Sequence, residues 1–82
     1  MTERDWSVPL LDDVMALHSS RWGQAAPLPD AERAERLSRV TLAVRDWVPS
    51  RGPWQRFDDA VRSLAIEVLH EYEVPVAAWR IP

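Results

Sequence analysis

Pro53-Trp-Gln-Arg-Phe57-Asp-Asp-Ala-Val61-Arg-Ser-Leu64-Ala65-Ile-Glu-Val68-Leu69-His-Glu-Tyr72 is the stretch that decides the fold. At about 100° per residue, Trp54, Phe57, Val61, Leu64, Ala65, Val68, Leu69 and Tyr72 form one apolar stripe, which predicts a helix over 53–72, roughly 30 Å long. Pro53 suits its first turn, where a missing N–H does no harm. Asp58 and Arg62 stand four apart on the side turned away, an exposed pair worth only about 0.3 kcal/mol. Such a stripe needs neighbours to cover it, so the flanking segments settle the class.

Upstream, the link Pro49-Ser-Arg-Gly-Pro53 is short enough to make its flanking helices antiparallel and to bring Trp47 opposite Trp54. The segment before it predicts a second helix over 30–48, with Asp30 as N-cap and Ala34, Leu37, Val40, Thr41, Val44, Trp47 and Val48 inward. Leu42 falls on its polar side. A proline-containing connector, in which Leu28 can tuck under the second helix, leads back to a first helix over 8–22, capped near Ser7 or Val8 and stopped by Gly23. Leu10, Leu11, Val14, Met15, Leu17, His18 and Trp22 share its inner face, with Asp12, Asp13, Ser19 and Ser20 mostly opposite. After Tyr72, Pro75 forbids a regular helix. The apolar residues Val74, Val76, Trp79 and Ile81 of the tail, 73–82, either return to cover the bundle or dock elsewhere. The expected fold is therefore all-α: a small three-helix bundle with an irregular apolar C-terminal tail, one domain over 1–82.

Composition narrows the function. The chain has 82 residues, 46% of them hydrophobic and 28% charged, which describes a globular domain with a modest core to which a partner can add. It has no cysteine, so neither a disulfide framework nor a thiolate metal site is available. The start Met1-Thr-Glu-Arg-Asp lacks the pattern of a signal peptide, and no apolar run approaches the ~18 residues of a membrane span, so a cytoplasmic location off the membrane is expected. All ten cationic side chains are arginine. Codon bias accounts for that without any local role, whereas arginine also favours bidentate pairing at interfaces. Six arginines lie between Arg33 and Arg56 against only Glu35 and Asp46, yet the net charge of −3 disfavours nucleic acid as a partner. A recognition-helix reading fails as well, because the third helix carries Asp58, Asp59, Glu67 and Glu71.

Constellations with chemistry are sparse. Glu67 and His70 have the i, i+3 spacing used in di-iron bundles, but they sit on the polar face without a second pair, so a solvated face is the expected reading. His18 lies within an apolar face, where it must find a hydrogen-bond partner; a satisfied rim histidine is expected, with an interface or pH-sensitive contact as the alternative. Ser19 and Ser20 beside it do not assemble a triad, and two glycines cannot build a phosphate loop. No cofactor, metal or catalytic residue is expected.

Pro53-Trp-Gln followed by Leu64-Ala-Ile-Glu-Val-Leu-His-Glu71 loosely resembles the helical segment of nitrile hydratase beta-type and accessory proteins, over less than half of the chain; no residue role follows from it. The tryptophans Trp6, Trp22, Trp47, Trp54 and Trp79 all fall at helix ends or in the tail, where amphipathic rings anchor interfaces. The expected function is a non-catalytic protein-binding module, an accessory subunit or a regulator or inhibitor of a larger complex. Its expected docking residues are Trp6, Trp22, Trp79 and Ile81, with Arg33, Arg36 and Arg39 steering approach; self-association is compatible with it. The alternative is a nucleic-acid-associated protein using Arg33–Arg56.

Overall fold

The computed structural model describes residues 7–23, 26–48 and 51–80. Its elements are α1 (Ser7–Arg21), α2 (Asp30–Arg45) and α3 (Gln55–Glu71), with short 3-10 turns at Gly52–Trp54 and Val76–Ala78. No strand occurs among the described residues, and each helix packs on the other two: an all-α three-helix bundle. The core joins Leu10, Val14 and Leu17 of α1, Val40 and Val44 of α2, and Val61, Ala65, Val68 and Leu69 of α3. Full burial of Leu17 and Leu69 contributes about 2 kcal/mol each.

The ends obey local rules. α1 stops at Gly23, which takes φ +73° and donates its N–H to Ser20 O at 3.4 Å. Pro29, not Asp30, occupies the N-cap of α2, and Asp30 instead accepts from Arg33 Nη2 at 2.8 Å. α2 ends at Arg45, three residues short of expectation, because Asp46 turns the chain; Val48 is left 74% exposed instead of inward. α3 opens through the Gly52–Trp54 turn, which places Trp54 edge to face with Phe57, ring centroids 6.1 Å apart.

The C-terminal end of α3 decides what the tail does. The N–H of Val74 bonds Leu69 O at 2.9 Å and that of Glu73 bonds His70 O at 3.0 Å, a Schellman closure. It requires a left-handed residue, and here Glu73 supplies φ +59° in place of the usual glycine, at a cost of about 1 kcal/mol. The closure reverses the chain and packs Val74 and Trp79 against the core, so the tail covers its own bundle.

Two carboxylates overturn the wheel. Asp13, expected on the polar side of α1, is buried because α2 presents Arg36 and Arg39 to it: Arg36 Nη1 donates to Oδ1 at 2.8 Å, and Arg39 donates to both carboxylate oxygens at 2.9 Å. The Arg39 hydrogen bonds outweigh burial and hold the Asp13 carboxyl below its ordinary value of 3.8, while the same contact pushes the Arg39 guanidinium up. Asp58, expected to pair with Arg62 on the surface, is fully buried and partnered there, and the Asp58–Arg62 pair does not form.

Candidate functional site

Residues expected to bind a partner are distributed unevenly. Trp6 and Ile81 lie outside the described residues. Arg33 is engaged by Asp30, Arg36 by Asp13, and Arg39 by Asp13 and by Glu35 at 3.3 Å. The arginine face of α2 is thus largely spent on holding α1. Trp79 packs on the bundle as a wall and not as a free anchor, its ring edge to face with His70 at 5.6 Å.

Trp22 behaves differently. The residue is 57% exposed, its Nε1–H donates to Glu71 Oε1 at 3.1 Å, and the Arg21 guanidinium lies 5.3 Å from its ring centroid. The same Glu71 oxygen receives His18 Nδ1 at 3.2 Å, and Tyr72 Oη donates to Leu17 O at 2.7 Å. His18 is therefore the satisfied rim histidine, in a clasp that closes α1 against the end of α3. Ser20 is committed as well, its Oγ accepting the Leu28 N–H at 3.1 Å. Glu67 and His70 both lie exposed on α3, and no group of three or more potential metal ligands occurs among the described residues.

A concave surface lies elsewhere. Where the end of α2, the first half of α3 and the returning tail meet, a groove of about 680 Å³ is lined by Val44, Arg45, Trp47, Asp59, Arg62, Trp79 and Arg80. Trp47 and Trp79 supply indole walls. Arg45 is held by Asp46 at 3.3 Å, whereas Arg62 and Arg80, both exposed, make no ion pair among the described residues. The Nε1 of Trp79 is buried without an acceptor among them. Beyond Trp47 a second hollow, about 390 Å³, is lined by Leu42, Ala43, Asp46, Trp47 and Val48. Leu42, as expected from its place on the wheel, is 45% exposed. Together the two hollows form an apolar shelf beside a cationic cleft, joined at Trp47.

The expected docking residues include Trp79 but none of the other six that line the cleft. Arg62 was masked by its apparent pairing with Asp58, and Arg80 reaches the cleft only because the tail reverses at Glu73. No family model, curated protein or solved structure matches this chain, so the likeness of the 53–71 stretch to nitrile hydratase proteins carries no argument. No helix among the described residues is long and apolar enough to cross a membrane.

Proposed function

We propose that this chain is a small, non-catalytic protein-binding module of the cytoplasm, acting as an accessory subunit or regulator of a larger protein complex. The observation that carries the reading is the pair of hollows meeting at Trp47. An exposed aliphatic shelf next to a two-indole cleft, in which Arg62 and Arg80 make no ion pair among the described residues, has the anchor types enriched in interface hot spots. The docking surface is this region, with Trp22 at the opposite end of α1 as a separate exposed ring. The nucleic-acid alternative loses support, because Arg33, Arg36, Arg39 and Arg45 of its basic stretch are each matched by a carboxylate of the same chain.

A photo-crosslinking side chain at Val48 tests the proposal in the native host, with Ser38, exposed on α2, as control. One defined polypeptide should be crosslinked from position 48 and not from 38. Equal patterns from both positions, or none from either, overturn the reading.

A further inference from the structure

We infer that the Trp47 cleft receives an acidic segment of a partner protein: an extended or helical stretch that places carboxylates against Arg62 and Arg80 and a bulky aliphatic side chain on the Leu42–Val48 shelf. This rests on the protein-binding proposal and specifies its partner. The cleft wall carries two guanidiniums without a carboxylate partner among the described residues, against one lining carboxylate, Asp59. Arg33, Arg36 and Arg39 on α2, and Arg45 at the cleft rim, each have a carboxylate within 4 Å, whereas Arg62 and Arg80, like Arg21, Arg51 and Arg56 outside the cleft, have none among the described residues; only Arg62 and Arg80 combine that with a place in a concave, indole-walled surface. A guanidinium pairs bidentately with a carboxylate, and a partly enclosed cleft strengthens that pairing over open water.

The second half of the recognition is apolar. Leu42 and Val48 are 45% and 74% exposed on the far side of Trp47. Covering them with an aliphatic side chain removes contiguous apolar surface from water, which a free anion cannot do. The Trp79 indole, whose Nε1–H is buried without an acceptor among the described residues, lines the same cleft. A nucleic acid fits less well. It needs a run of cations, whereas Asp59 interrupts this pair and the whole chain carries −3. A segment with two or three carboxylates tolerates both.

The test uses the full chain and a fluorescein-labelled twelve-residue peptide of alternating Glu and Leu, read by anisotropy. Three competitors accompany it: the same peptide with Lys for Glu, the same with Ser for Leu, and a single-stranded oligonucleotide. The Glu-Leu peptide should bind, weaken steeply with salt, and outcompete each alternative by at least about tenfold. R62Q/R80Q should weaken it by about tenfold or more and L42S several-fold, while R33Q leaves it unchanged. Circular dichroism confirms that each variant is folded. The inference is overturned if the Lys peptide binds as well, if the oligonucleotide binds more tightly, if R62Q/R80Q changes nothing, or if sedimentation shows a second copy of this chain seated there and excluding the peptide. Should the peptide fail while position 48 still crosslinks a partner, the partner chemistry alone is wrong; if both fail, so is the protein-binding proposal.

Discussion

Arg36 and Arg39 on α2 and Arg62 and Arg80 around the Trp47 cleft have the same side chain and opposite fates. The first pair closes on Asp13, which is 6% exposed, and pins α1 to α2. The second pair meets no carboxylate within ion-pair distance among the described residues. A count of arginines therefore says little about what a surface binds; what matters is whether the fold brings a carboxylate to each. Where it does, the cation is structural, and where it does not, the charge remains available.

The largest effect that can break this contrast comes from removing the internal anion. D13A leaves Arg36 and Arg39 facing each other beside a cavity. Because both guanidiniums retain some solvent access, the loss should be about 3 kcal/mol, toward the low end for a broken buried pair, in urea unfolding. D59A in the cleft should change stability by less than about 0.5 kcal/mol. Equal losses for the two would erase the distinction.

Acid should produce a smaller effect at the same place. The Asp13 carboxyl titrates below its ordinary value in the folded chain, so the folded state binds that proton less readily than the unfolded one. Its stabilisation is fully present above about pH 4 and is lost as pH falls through the depressed folded value. A plot of stability against pH should fall more steeply below pH 4 for the native chain than for D13N, as read by thermal unfolding.

These contrasts also show which features the sequence makes legible. The α3 stripe is readable because its period runs unbroken from Phe57 to Leu69, and burial of Val61, Ala65, Val68 and Leu69 follows it. Asp13 is not, because a wheel assigns charge to solvent and the cations that bring it inward lie 23 and 26 residues away. Asp58 misleads for the same reason: the i, i+4 rule offers Arg62, and burial takes Asp58 away from it. The cleft is hidden for a backbone reason. Its third wall depends on a left-handed turn at Glu73, and a glutamate there gives none of the signal that glycine would.

The indoles repeat the contrast at lower energy. Trp22 has an exposed ring with a satisfied N–H, and Trp79 a largely covered ring with an unsatisfied one. W22F gives up the bond to Glu71 and should cost about 0.5–1 kcal/mol. W79F discards an unpaired buried donor as well as some contact area, so the two terms offset and the net change should be smaller. A larger loss for W79F in urea unfolding would show that the Trp79 N–H is satisfied in solution.

The smallest stability change should come from R62Q/R80Q, and its smallness is the informative part. Neither guanidinium holds a carboxylate among the described residues, so the substitution breaks no ion pair among them. Both are exposed, so no buried group loses its partner. The chain becomes more negative overall, which raises general repulsion slightly, but Arg45, Arg62 and Arg80 line one cleft and repel one another, and neutralising two of them relieves that repulsion. The terms have opposite signs and act in water, so the net should stay within about 0.5 kcal/mol in urea unfolding. Residues whose removal leaves the fold this indifferent, yet weakens peptide binding about tenfold or more, serve something outside the chain. A loss near that of D13A would instead place them among the supports of the bundle, alongside Arg36 and Arg39.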